Sequence, residues 1–134
     1  MKKILIGFIV IGSLAGFQRP VDKPNLKTDR KIKTDTVSYK KDVLPIFKAN
    51  CLPCHTEDQL NPSELYMDTY DNLMVGGKHG KPIVVGKADS SLIIRKLDAK
   101  PPFGDRMPLK RKTSLSADTI SILRAWINQG AKKN

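Results

Sequence analysis

Cysteine and histidine are almost missing from this chain, with two of each among 134 residues. That scarcity excludes a disulfide-rich scaffold, and a tetrahedral zinc site made of Cys and His alone would need Cys51, Cys54, His55 and His79 together. No apolar run approaches the ~20 residues of a spanning helix. The apolar run Ile4–Ala15 has 12 residues, carries no charge and follows Lys2 and Lys3. No cysteine follows it, which excludes a lipid-modified N-terminus at that point. Aromatic residues make up only 6% of the chain, and none interleaves with basic residues in the way that stacks nucleobases. Acidic residues are also in the minority, at 13 against 24 Lys and Arg, for a formal net charge of +11. Neither a nucleophile with an adjacent base nor a pair of carboxylates stands in a recognisable setting.

What is present begins with a basic n-region and a short apolar h-region over residues 1–15, with Ser13 and Ala15 as small residues for cleavage. Residues 1–15 are expected to be a signal peptide, with an uncleaved membrane anchor as the alternative. Residues 16–36, rich in proline, lysine and polar residues without apolar period, read as a flexible tether. The folded domain is expected over 37–134. Export makes nucleic acid an unsuitable partner for the positive charge, so an acidic protein or a membrane surface is expected instead.

Four helices are expected in that domain. The first covers Ser38–Asn50, with Pro45 within the first turn and Asp42 as cap of the true start. The second covers Thr69–Val75 and stops at Gly76-Gly77. The third covers Asp89–Leu97, capped by Asp89 or Ser90, with Leu92, Ile93 and Leu97 inward and Arg95 and Lys96 outward. The fourth covers Ser116–Gln129, with Ser116 as N-cap, a stripe of Ile120, Leu123, Trp126 and Ile127, and a stop at Gly130. PIVVG at 82–86 is the sole strand signal. Loops 52–68 and 98–115 lack periodicity, and structureless stretches of that length in a small domain usually wrap something functional.

The stretch CLPCHTEDQL at 51–60 holds both cysteines. A disulfide across two intervening residues would close a tiny loop and constrain the unfolded chain little. A thiol oxidoreductase would need a strand leading in and a helix leading out, whereas a helix leads in here and Pro53 precedes the second cysteine. Zinc would have to accept Cys54 and His55 as neighbours on one ion. The fourth reading is covalent haem. Cys51 and Cys54 match the two vinyl groups as thioethers, and His55 is held under the iron as proximal ligand. The residues favour this last reading, and export agrees with it.

The other side of the iron has four candidates: His79, Met67, Met74 and Met107. Met74 has a helical context typical of core, and Met67 lies in an ambiguous stretch. Met107 sits in PPFGDRMPLK, a proline-rich loop where a thioether is either a ligand or a plug in the core.

The stretches DVLPIFKANCLPCH, GGKHGKPIVVGKADSSLIIRKL, RMPL and LRAWINQGA, in that order over positions 42–131, resemble class I c-type cytochromes. More narrowly, the chain is similar to the planctomycete-type cytochrome c domain, also found alone or fused in Bacteroidetes proteins. It departs from that pattern at Leu109, where a second proline is expected. The resemblance implies an all-α, small cytochrome c fold of about four helices with long loops around one covalently bound haem c. It implies Cys51 and Cys54 as haem thioethers, His55 as proximal ligand and Met107 as distal ligand, with His79 as rival. The function so implied is single-electron transfer outside the cytoplasm, periplasmic or membrane-tethered, between partners such as an acidic redox protein or a membrane-bound respiratory complex. No catalysis is expected beyond a role as redox subunit of a larger oxidoreductase. A gas-binding or redox-sensing haem protein with an open or His-ligated distal site is the alternative. Pro53 would stiffen the loop between the thioethers. Phe47, Leu92, Leu123 and Trp126 would pack on the macrocycle or between the terminal helices. Arg106 would face a propionate or solvent, and Lys110-Arg111-Lys112 would steer an acidic partner or form a solvated run.

Overall fold

The computed structural model describes residues 36–109 and 113–134. The leader expected at 1–15, the tether up to residue 35 and the run Lys110-Arg111-Lys112 lie outside the described residues.

Ser38 begins the first helical segment. Its Oγ accepts the N–H of Lys41 at 3.3 Å, and Asp42 reaches back to take the Ser38 N–H at 2.8 Å. This reciprocal cap corrects the expectation that Asp42 starts the helix. A π-helical turn over Tyr39–Val43 then tightens into α1 (Leu44–Asn50), with Pro45 in the first turn, where its missing N–H does little harm. Thr69 caps α2 (Tyr70–Val75) through the N–H of Asn72 at 3.1 Å, and Gly76 ends it at φ 91°. A 3₁₀ turn (Ala88–Ser90) precedes α3 (Leu92–Arg95), a single turn. Ser116 caps α4 (Ala117–Asn128) through the N–H of Thr119 at 3.2 Å.

The fold is all-α, with four α-helices and long loops between them among the described residues. Among the described residues no strand forms, and the one bridge joins Gly77 to Gly80. The strand signal at 82–86 is not realised. Ile83 is buried, Val84 and Val85 are exposed, and Gly86 turns the chain at φ 75°. The third helix is shorter than expected because Ser91 interrupts it. Ser91 is fully buried and extended, and its Oγ accepts the N–H of Val84 while donating to the carbonyl of Lys87. Asp89 does not cap; it pairs with Arg124 of α4.

The core lies where the first helical segment crosses α4. Val43, Phe47, Leu123, Trp126 and Ile127 are buried there. The Trp126 ring meets Tyr39 at 5.5 Å, Phe47 at 6.4 Å and Tyr70 at 6.5 Å between centroids, and the Phe47 and Tyr70 contacts are edge-on. The Trp126 N–H ends on the carbonyl of Lys132 at 2.9 Å, and the Tyr70 hydroxyl donates to the carbonyl of Ala131 at 2.7 Å. The chain after α4 therefore folds back onto the aromatic cluster. It also receives the Lys40 N–H on the Asn134 carbonyl at 2.9 Å. Phe47, Leu123 and Trp126 thus pack between the terminal helices, one of the two roles expected of them.

Tyr39 is 6% exposed, and its hydroxyl is buried without a hydrogen-bond partner. Burial, then the proximity of Tyr70, Asp68 and Asp71, raises its pKa above the ordinary 10.0. Because the folded value lies above the unfolded one, this group's contribution to stability is intact below pH 10.0 and is lost as pH rises through the folded pKa. Tyr39→Phe removes both the orphaned hydroxyl and the titration. Urea unfolding at neutral pH should show a variant equal to the wild type or up to ~1 kcal/mol more stable. The gap should widen in the variant's favour above pH 10, and a parallel decline of both proteins would contradict the assignment.

Candidate functional site

Cys51 closes α1, its N–H bonded to the carbonyl of Phe47 at 2.8 Å. The carbonyl of Cys51 then accepts the N–H groups of both Cys54 and His55, at 3.1 and 3.0 Å. This tight turn, with Pro53 inside it, sets the two sulfurs and the imidazole at the C-terminal end of α1. Cys51 is half-buried and Cys54 exposed.

The His55 ring is oriented by the loop that follows. Its Nδ1 lies 2.9 Å from the carbonyl of Leu65, which can only accept, and 3.1 Å from Asn61 Nδ2; in the tautomer with the hydrogen on Nδ1, that hydrogen goes to Leu65 and the lone pair is on Nε2. Asn61 braces the same carbonyl, donating from Nδ2 at 2.7 Å. The Asn61 amide orientation follows from its other end, where Oδ1 accepts the N–H and Oγ of Ser63 at 3.1 and 2.7 Å. The Met67 N–H closes the wrap on the carbonyl of His55 at 2.8 Å.

Gly77 holds this loop from outside. A Cβ placed on it would stand 2.5 Å from the Ser63 oxygen and 2.8 Å from the Leu65 nitrogen, so only glycine permits the approach. Lys78 adds an N–H to the Ser63 carbonyl at 2.9 Å and an ion pair to Glu64 at 2.9 Å.

These residues border one cavity of about 520 Å³. Cys51, Cys54, His55 and Met67 line it from the loop after α1, and Leu92, Ile93 and Leu97 from α3 and its end. Pro82, His79, Phe103 and Met107 complete the wall. Its volume lies within the usual range of cofactor sites, and its lining is mainly apolar with a few convergent polar groups. Two thiols, an imidazole with a free nitrogen and thioethers on a shared apolar cavity fit a covalently bound haem. Among the described residues no group of three or more Cys, His, Asp and Glu could hold a metal ion, which removes support from the zinc reading.

Three of the four distal candidates line the cavity. Met74 does not line the cavity. Met67 does, but it is 2% exposed and part of the core. His79 lines the cavity with its ring stacked on Phe103, centroids 4.1 Å apart. Met107 lines it from a loop, half-buried, with its N–H on the carbonyl of Lys96 at 2.8 Å. Leu92 is a cavity residue, as expected, whereas Phe47, Leu123 and Trp126 are not. Arg106 is half-buried. Lys96 was expected to face outward. Instead it lines the cavity, and its Nζ donates to the carbonyls of Phe103 and Asp105, at 2.6 Å each. No periodic signal marks it, because α3 ends one residue earlier.

Residues 51–108 match the family model described as Planctomycete cytochrome C. Among solved structures, the chain is similar to a Kuenenia stuttgartiensis hydrazine synthase chain at 22% identity and a TM-score of 0.45. That match covers 72% of this chain and 16% of the other, so the chain spans about one sixth of that protein's length. No curated protein matches.

Gly77→Ala tests the support of His55. Overpacking against backbone that cannot yield costs ~1–3 kcal/mol. The expected result is a lowered melting midpoint together with faster amide exchange over residues 61–67. A variant with wild-type exchange there would show that Gly77 does not brace the loop.

Proposed function

We propose that this chain is a monohaem electron carrier built on a planctomycete-type cytochrome c domain, with Cys51 and Cys54 as the attachment sites, a reading supported by the family-model match over residues 51–108. The proposal extends to residues 1–15 as an export signal, 16–36 as a tether, and a site of action outside the cytoplasm. The haem supplies a metal centre that changes oxidation state by one electron. Everything else falls to the chain's own residues.

Cys51 and Cys54 anchor the group at the end of α1. His55 offers Nε2 as proximal ligand, and the Leu65 carbonyl raises its basicity by accepting from Nδ1–H. Met107 is the proposed distal ligand. Met67 belongs to the same loop that wraps His55, through its N–H on the His55 carbonyl, whereas Met107 is carried by the opposing chain segment bonded to α3. His79 is engaged with the Phe103 ring. A His/Met pair favours the reduced state relative to two imidazoles and leaves no open position for a substrate, which supports a carrier rather than a catalyst. Leu92, Ile93 and Leu97 keep water from the cavity. The single observation that carries the reading is the convergence of Cys51, Cys54, His55 and Met107 on one apolar cavity.

The net charge suits an acidic redox protein or the acidic face of a respiratory complex as partner.

Expression with cytochrome c maturation machinery should give sharp reduced α and β bands that survive denaturing electrophoresis as covalent haem. Cys51→Ser with Cys54→Ser should abolish them. Met107→Ala should erase the weak far-red band of sulfur-ligated ferric iron and lower the potential by a sizeable part of the ~0.8 V that axial ligands span. His79→Ala should leave both unchanged. Retention of the band in Met107→Ala would move the distal site elsewhere, and rapid binding of carbon monoxide by the unmodified protein would favour gas binding.

A further inference from the structure

We propose that Lys96 is a positioning residue that clasps the Met107 loop over the cavity, with Phe103 and His79 as the other parts of the clasp. The inference rests on the reading of the cavity as a haem site and adds to it the device that holds its distal wall. It starts from the shortness of α3. One helical turn cannot by itself hold the loop that follows, and residues 98–109 contain no regular element.

The Lys96 side chain supplies what the helix does not. Its ammonium donates to the carbonyls of Phe103 and Asp105, at 2.6 Å each, and lies 4.6 Å from the Phe103 ring centroid. Gly104, between the two carbonyls, takes φ +50°, and a Cβ there would lie 3.9 Å from Nζ. The chain thus curls around the ammonium so that the carbonyls on either side of Gly104 converge on it. An ammonium has three donors, and hydrogen bonds with an ionised donor are about twice as strong as neutral ones. The same residue's backbone carbonyl takes the Met107 N–H at 2.8 Å. Lys96 therefore grips the loop on both sides of Arg106, by side chain at Phe103 and Asp105 and by main chain at Met107.

His79 ties this wall to the other one. Its ring stacks on Phe103 at 4.1 Å between centroids and 32° between planes. The neighbours of His79 in sequence, Gly77 and Lys78, press on the Ser63–Leu65 segment that orients His55. The two walls of the cavity are thus joined at its mouth by one ring pair, with Lys96 fastening the second ring. This gives His79 a role other than iron ligation.

The experiment compares haem-loaded wild type, Lys96→Met and Lys96→Arg. Lys96→Met keeps the stem and the main-chain carbonyl and removes the charge and donors. Amide exchange over residues 101–109 should accelerate about tenfold, as expected from losing charge-assisted hydrogen bonds, with no change in α4. Lys96→Arg, which can donate to both carbonyls and lie on the Phe103 ring, should restore most of the protection. Entry of imidazole to the ferric iron should quicken in parallel in Lys96→Met. Unchanged exchange over 101–109 in Lys96→Met, or acceleration that Lys96→Arg does not reverse, would overturn the clasp. The exchange comparison does not depend on which side chain binds iron. Absence of the far-red sulfur band in wild type would remove Met107 as ligand and leave the exchange result to decide the clasp.

Discussion

The edge-on contact between Phe47 and Trp126 decides where the cavity begins. Tyr39, Val43 and Phe47 recur at four-residue intervals along the first helical segment, and all face α4. Once Phe47 is seated, its carbonyl takes the N–H of Cys51 and ends the helix there. The next three residues have no freedom left, because the Cys51 carbonyl is shared by Cys54 and His55. The buried aromatic cluster thus fixes the position of the reactive turn without touching the cavity. A substitution in this core would be felt at the cysteines through backbone geometry alone.

The loops obey a different rule. Residues 52–69 and 96–109 carry no periodic stripe to bury, and main-chain polar groups help hold them. The Leu65 carbonyl, the Ser63 carbonyl and the Lys96 carbonyl each receive a donor that fixes a cavity residue: the His55 ring, the 76–80 loop and the Met107 backbone respectively. Such bonds are individually modest, but a buried carbonyl without a partner is costly, so each discourages alternative loop paths. The glycine at 77 works in the same way, by letting backbone approach backbone.

This difference explains what could be read in the chain. The α4 stripe, the cap at Ser116 and the stop at Gly76 depend on neighbours in sequence, and they stand where the pattern puts them. The Cys51, Cys54 and His55 motif is legible for the same reason, since the chemistry is written in contiguous residues. The expected third helix starts too early because Asp89 and Ser90 look like caps, while the extended, buried Ser91 is set by its bond to the backbone at Val84. Lys96 misled because helical periodicity points it outward, while its direction is set by carbonyls seven and nine residues on. The distal side was ambiguous because Met67, His79 and Met107 all reach the cavity. Spacing cannot choose between segments that meet only in three dimensions.

The charges follow from this division of labour. The ion pairs Glu64–Lys78, Asp71–Lys133 and Asp89–Arg124 lie on the surface, with side chains 36% to 89% exposed. Pairs of this kind contribute ~0–1 kcal/mol each and are screened by salt. The core that holds α1 against α4 is apolar and aromatic, and screening leaves it intact. Lys96 spends its charge on neutral carbonyls rather than on a carboxylate, so its grip is also short-ranged. Among the described residues these pairs are therefore not what holds the fold, and a net charge of +11 is what an acidic partner of the proposed kind would meet. Raising ionic strength should therefore act first on encounter with an acidic partner and only weakly on the folded domain, which makes salt a selective probe of docking in this molecule.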